Sequence, residues 1–380
     1  MKEQQNNIYS VKGIEFNAID IPLVKELRGK QYMYYGADNL FPQLLIELYD
    51  SSPMHHTAVQ AIKDGIFGEG IEIIGDEVVN SKGETVDDVF ERISLDYSLY
   101  QGYALNVIWS RDGSKIAEIY HIPFANVRSG KPDEEDNINE YFYSSNWANL
   151  RKYKEVAYRA FDPLDNRGDN ASQIFYYYNY TPGNEVYPLP SYVACLNDVS
   201  LDAKVSRFHT SNISQNLAPS MFIKFNNGIP SDEERTTIYN SIAETFSGPD
   251  AAGRFFLSFS DGPERAMDVQ PIESANDTYY ITLSDHIARN ILSAHRVSSP
   301  LLLGIKDASG FSNNADEIMI AYAHFEGTVV EPKRKKITTS FGYILKLHGM
   351  NVSIKVKPNR ILNVERITDA NTTNETNIIA

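Results

Sequence analysis

Cysteine is nearly absent: Cys195 is the single one in 380 residues. One thiol excludes an intramolecular disulfide framework and any multi-cysteine metal site. Basic charge is also short, with 35 Lys and Arg against 50 Asp and Glu, a formal −15 at pH 7 and a pI near 5.0. That balance argues against a protein that grips nucleic acid over its whole surface. There is no long uncharged apolar run. The start, Met1-Lys2-Glu3-Gln4-Gln5-Asn6-Asn7, lacks the apolar core of a signal peptide. A soluble protein made in the cytoplasm, with no membrane partner, is the expectation.

Catalytic signatures are missing too. None of the eight histidines belongs to an HExxH motif, and the adjacent His55 and His56 would point about 100° apart on a helix, a poor start for a zinc site. There is no GxSxG elbow and no GxxxxGK[ST] loop, and Cys195 falls in a predicted helix without an evident histidine partner. The GxxGxG spacing of Gly65–Gly70 reverses a dinucleotide fingerprint and follows a helix, so it reads as a helix C-cap leading into a strand. Asp133-Glu134-Glu135-Asp136 reads as a solvated loop better than as a metal site. No enzyme, no cofactor and no metal are expected. A hydrolase whose catalytic groups converge only in the fold is the alternative.

Aromatic rings, by contrast, are plentiful: 24 Tyr, 18 Phe and 2 Trp make up 12% of the chain. Tyrosine suits both half-wet subunit contacts and cross-strand aromatic pairs, and the sequence leaves both open. Residues 1–35 read as an extended arm. A turn at Gly36-Ala37-Asp38-Asn39-Leu40-Phe41-Pro42 then starts a helix striped by Leu44, Leu45, Leu48 and Tyr49. Ser51-Ser52-Pro53 starts a second helix carrying Ala58, Val59 and Ile62. Residues 84–98 form an amphipathic helix with Val86, Val89, Phe90 and Ile93 inside. Tyr103–Trp109, Lys115–His121, Glu140–Tyr143 and Ala171–Tyr180 read as strands.

A boundary falls near residue 190. Beyond it, Ser191–Leu217 has no Gly or Pro and reads as one long helix that turns polar all round, as a helix does when it packs against copies of itself or lines something wet. Met221–Phe225, a helix opened by the capping box Ser231-Asp232-Glu233-Glu234, and Arg254–Ser260 make a strand–helix–strand insert. Asn276–Val297 is a second long helix, and Gly304–Asn314 is a Gly/Ser/Asn-rich loop. A third helix runs from Ala315 to about Lys346, with a kink at Glu331-Pro332. Asn351–Lys357 reads as a strand and Thr368–Thr376 as a polar tail. The fold class is α+β.

This order resembles the portal protein of tailed double-stranded DNA bacteriophages. Three stretches carry the resemblance. The first is the Gly36–Pro42 turn, followed by Ser51-Ser52-Pro53-Met54-His55 and Gly65–Gly70. The second is the helix–insert–helix of Ser191–Val297. The third is His295-Arg296-Val297-Ser298-Ser299-Pro300-Leu301-Leu302-Leu303-Gly304, similar to the R-V-P-P-x-L-x-G ending of that family's second stem helix. Here Ser298 or Ser299 replaces the first proline.

The resemblance implies a ring-forming fold: a wing from 1–190 with 315–360, stem helices at 191–217 and 272–298, a clip at 218–271, a tunnel loop at 299–314 and a tail at 361–380, the crown being reduced or absent. It implies a dodecameric ring at one capsid vertex through which double-stranded DNA passes without sequence preference. The expected partners are the large terminase subunit, head–tail adaptor proteins and the major capsid or scaffold protein. The location would be the virion, after assembly in the host cytoplasm. An adaptor or baseplate protein without a DNA channel is the neighbouring alternative.

On that resemblance Lys306, Asp307, Ser309, Gly310, Phe311, Ser312, Asn313 and Asn314 would face DNA. Asp232, Glu233, Glu234, Arg235 and Arg254 would dock the motor or adaptor, and Arg207, His286, Arg289, His295 and Arg296 would lie on the stem. The densest cationic run, Lys333-Arg334-Lys335-Lys336, suits either DNA contact or a solvated or salt-bridged helix face.

Overall fold

The computed structural model describes residues 19, 22, 24–72, 78–165, 168, 171–215, 221–225, 230–246, 255–259, 277–305, 315–350 and 355–356. The stretch expected to be an extended arm contains an antiparallel pair, β1 (Val24–Glu26) with β2 (Met33–Tyr35). The turn that follows places Asn39 in the left-handed region, at φ 66°, and leads into α1 (Phe41–Ser51). Pro42 sits in the first turn of α1, where its missing N–H leaves no hydrogen bond unmade. Ser52 separates α1 from α2 (Pro53–Phe67), its Oγ accepting the His55 N–H at 3.3 Å. Gly68, at φ 60°, stops α2 just before β3 (Ile71–Glu72), so the glycine cluster is a helix cap as expected.

The amphipathic helix is α3 (Val86–Tyr100), opened by a reciprocal cap between Thr85 and Asp88. Val86, Val89, Phe90 and Ile93 are all buried. Six strands follow: β4 (Gly102–Trp109), β5 (Ile116–Ile122), β6 (Val127–Ser129), β7 (Glu140–Tyr143), β8 (Val156–Ala160) and β9 (Ser172–Tyr178). They form one sheet in the order β5-β4-β9-β8-β7-β6, antiparallel except for β8 with β9. β4 is buried along nearly its whole length, so its apolar run belongs inside the sheet with both faces covered. One face packs on α3. There Tyr103 and Phe90 share a core with later helical residues. On the other face Tyr100, Phe124, Tyr176 and Tyr141 stack in succession with centroids 4.8 to 5.1 Å apart. Many of the rings therefore serve contacts within the chain.

After the prolines at 188 and 190, a short 3-10 turn over Val193–Cys195 precedes α4 (Leu196–Gln215), so the helix begins five residues later than the Gly/Pro-free run suggests. The cause is Tyr192, whose buried hydroxyl donates to the Leu99 carbonyl at 2.7 Å and holds the entry to α4 in a turn. Next come β10 (Met221–Phe225), α5 (Asp232–Phe246) and β11 (Phe255–Phe259). The two strands pair in parallel from Met221 with Phe255 to Phe225 with Phe259, as a strand–helix–strand unit requires. α6 (Asp277–Ala294) returns beside α4, with Val199, Ile287 and Ile291 buried in one core.

A 3-10 turn at Pro300–Leu303 leads towards α7 (Ala315–Phe325), a π-helical turn over Glu326–Val330, and α8 (Glu331–His348). The expected kink at Glu331-Pro332 is thus a widened turn. Pro332 offers no N–H to the Thr328 carbonyl and its ring crowds it, and the wider turn absorbs both. Gly65 lets this segment approach α2, since a Cβ there would collide with Val330. β12 (Lys355–Val356) pairs antiparallel with β3, returning the C-terminal part of the chain to the first α/β region.

Candidate functional site: a helix pair and the basic turn at its end

α4 and α6 are joined by polar as well as apolar contacts: Asn290 Nδ2 donates to Asp198 Oδ1 at 3.0 Å. The same amide lies 3.3 Å from His286 Nε2. α6 is not sealed in a globule. Asp285, His286, Arg289 and Ser293 form an exposed flank opposite the buried Ile287, Ile291 and Leu292. On α4, Ser206 and Arg207 are exposed as well.

α6 ends in a paired C-terminal cap. The Val297 N–H reaches back to the Leu292 carbonyl at 2.9 Å and the Arg296 N–H to the Ser293 carbonyl at 3.0 Å, with Leu292 and Val297 both buried beneath. The position that glycine usually fills in this cap is Arg296, at φ 59°. Its guanidinium stays outside, while the preceding residue turns in. His295, expected on the stem surface, is 3% exposed. Its Nε2 lies 2.9 Å from His55 Nδ1, and its ring stacks on Tyr192 with centroids 4.7 Å apart. This seam ties α6 to α2, and Ser52, at the head of α2, donates to Asp202 of α4 at 2.6 Å.

Burial, then the neighbouring His56, pushes His55 down to about 4. Burial likewise holds His295 well below its ordinary range, with further lowering from His55 and Lys333. The pair is therefore neutral at pH 7, one ring donating and the other accepting.

The run Lys333–Lys336 does not present one cationic face. Lys333 Nζ is buried, and burial, then Arg296 and Lys336, brings it down to about 8. Arg334 pairs with Glu326 at 2.7 Å and donates to the Gly65 and Ile66 carbonyls of α2. Lys336 donates to Asn179 at 3.1 Å, while Lys335 is exposed. Helical geometry explains the dispersal, because four successive residues point to four directions.

Asp232, Glu233, Glu234 and Arg235 are exposed at the start of α5. Ser231 and Glu234 cap each other there, and Arg235 lies 3.3 Å from Asp232. Arg254 and the loop candidates Lys306, Asp307, Ser309, Gly310, Phe311, Ser312, Asn313 and Asn314 lie outside the described residues. Among the described residues no three His, Cys, Asp or Glu side chains gather as a metal site requires, and no helix is long and apolar enough to cross a membrane.

Sequence reasoning missed two features. The His55–His295 contact spans 240 positions and has no local signal. The other is Arg128, 0% exposed, which donates to Asn39 Oδ1 at 2.6 Å and the Asn39 carbonyl at 2.7 Å and lies over Trp147. It fastens the Gly36–Asn39 turn to the sheet.

The chain aligns over 90% of its length with 92% of a chain from the virion of a native gene transfer agent particle, at a TM-score of 0.60 and 16% identity. The two share a fold. A chain from the neck of the native gene transfer agent particle, computed with C12 symmetry, matches over 89% of this chain and 90% of that one, at a TM-score of 0.59 and 16% identity. A phage portal protein of the HK97 family from Corynebacterium diphtheriae overlaps more loosely, at a TM-score of 0.43 and 14% identity over 84% and 96% of the two chains, which by itself decides nothing.

In sequence, uncharacterized proteins of Rickettsia bellii and Rickettsia felis are 26% and 25% identical over 175 and 216 residues. Those stretches are 46% and 56% of this chain and 44% and 52% of the relatives, so the chain spans about half the length of the curated relatives it matches. No family model matches the sequence.

Proposed function

We propose that the chain is the subunit of a portal ring, a conduit for double-stranded DNA at one vertex of a virus-like particle. The observation that carries this reading is the fold shared, over nine-tenths of both chains, with a component of the gene transfer agent virion. The exposed flank of α6 beside a polar α4 supports it, because such a face suits a neighbouring copy or a wet channel. In this reading residues 1–190 with 315–360 are the wing, α4 and α6 the stem, 218–271 the clip and 299–314 the tunnel loop.

Net charge fits the task. A conduit must hold DNA laterally without trapping it, since each phosphate held by Lys or Arg must be released as the duplex slides. Copies at −15 each give a repulsive background on which a few cations act locally. The exposed acidic start of α5 would face the terminase motor or an adaptor, capsid or scaffold protein would surround the wing, and the ring would hydrolyse nothing itself. Assembly would take place in the host cytoplasm and the finished ring would reside in the virion.

Native mass spectrometry and cryo-EM class averages, with scaffold or adaptor supplied, test the reading. The expected result is a particle of about twelve copies of the 42.9 kDa chain, as in the C12 neck, with a bore wide enough for a duplex. A strict monomer at high concentration contradicts it. A ring without a bore assigns the chain to the adaptor class instead. Deleting Gly310–Asn313 should leave assembly intact and lower DNA packaging or retention, measured as DNA protected from nuclease.

A further inference from the structure

At the C-terminal end of α6, sharing Arg289 and Ser293 with its exposed flank, lies a cavity of about 510 Å³. Arg289, Arg296 and His324 line it, with the hydroxyl residues Ser293 and Ser298, on a floor of Leu292, Val297 and Pro300. Among the described residues no carboxylate lines this cavity. Among the described residues neither guanidinium has an ion pair. Arg289 reaches the cavity from the last turns of α6 and Arg296 from the left-handed cap that follows it. His324 reaches the same space from α7.

The backbone gives a second, independent observation. Arg296 occupies the left-handed position of the helix cap, where glycine costs nothing and a side chain is strained. The cap places the Arg296 side chain at the cavity in spite of that strain. The buried Lys333 ammonium nearby raises the positive potential further, and Lys333 and Arg296 repel each other.

We propose that this cavity is a binding site for a phosphate group, supplied either as free inorganic phosphate or by a nucleic-acid backbone. Chemistry favours phosphate over a carboxylate. Two planar guanidinium forks, an imidazole and two hydroxyls approach from two helices and a turn, and a tetrahedral oxyanion can accept from all of these directions, whereas a carboxylate has two oxygens in one plane. The site belongs to the single chain and does not depend on ring formation, so its failure and the failure of the portal reading are separate results.

The test titrates the full-length protein with sodium phosphate at constant ionic strength by calorimetry. In parallel, a labelled random-sequence duplex is titrated by fluorescence anisotropy over a range of salt. The variants are Arg289→Gln, Arg296→Gly and the pair together. Arg296→Gly relieves the backbone, so its Tm should equal or exceed that of the parent while phosphate affinity falls about tenfold. Arg289→Gln should fall by a similar factor at unchanged Tm, and the double variant should not bind. If the duplex binds as well, each arginine removed should lower the magnitude of the salt slope by roughly one, which assigns the source as a nucleic-acid backbone. Phosphate binding without duplex binding assigns it as free phosphate. Two results overturn the proposal: a double variant that binds phosphate as tightly as the parent, or a polyglutamate peptide that displaces phosphate and binds more tightly than it.

Discussion

The sheet with its covering helices and the α4–α6 pair with α7 follow different rules. In the first region the largest buried polar side chains are closed on partners within the chain, though the Tyr32 and Tyr176 hydroxyls are not. Arg128 spends its donors on Asn39, Gln43 and two carbonyls, and Tyr187 takes the Ser129 N–H and donates to the Met33 carbonyl. In the second, exposed apolar side chains gather on one helix, whereas those of the first, Leu164 and Tyr180 among them, are scattered, mostly over loops and strand ends. Ile318, Met319 and Ile320 of α7 are all exposed, Ile320 at 69%, and they point in three directions around the helix. One flat surface cannot cover three directions. On the proposed ring reading, folding is decided in the first region and assembly in the second.

Substitutions separate the two. The largest effect on folding should come from Arg128→Ala, which strips five hydrogen bonds from a buried network. A loss of about 3 kcal/mol or more is expected in denaturant unfolding. Acid should come next, acting on the seam between the regions. His55 takes a proton near pH 6.5 in the unfolded chain but only at about 4 when folded, so stability is full above 6.5 and is lost as pH falls towards 4. The expected loss from His55 is about 3 kcal/mol, seen as a falling urea midpoint, and His55→Gln should reduce that pH dependence to the share left by His295.

Gly65→Ala should cost about 1 to 3 kcal/mol, because the added methyl drives Val330 and the widened turn away from α2. The smallest effect on the fold should be Ile320→Glu, within about 0.5 kcal/mol by thermal unfolding. The same variant should reduce the assembled fraction in mass photometry. If Ile320→Glu unfolds the chain, or leaves assembly untouched, the division between the regions fails.

Legibility follows the same division. α3 was readable because its cap and its stripe agree, and Glu140–Tyr143 and the helix stop at Gly68 needed only a run of strand-favouring rings and a glycine. β6 was not, because a three-residue strand whose centre is a buried arginine reads as a polar turn. β8 was missed because its side chains are mostly exposed and leave no alternation to detect. At the candidate site, the polar drift of α4 and the ending of α6 were visible, but not what His295 touches, since its partner comes from the far end of the sequence. Arg289 and Arg296 were visible in the sequence as cations near the end of the second long helix. They acquire meaning only when Arg296 takes a glycine's conformation and His324 arrives from another helix.

The central claim is that α6 offers its exposed flank to a second copy of the chain around an open axis. Cryo-EM of the purified particle tests it most directly. The account predicts a closed ring in which the side chains of Asp285 and Arg289 lie against a neighbour or the bore. A stable monomer, or an assembly whose contacts leave α6 and α7 bare to solvent on the outside, would contradict it.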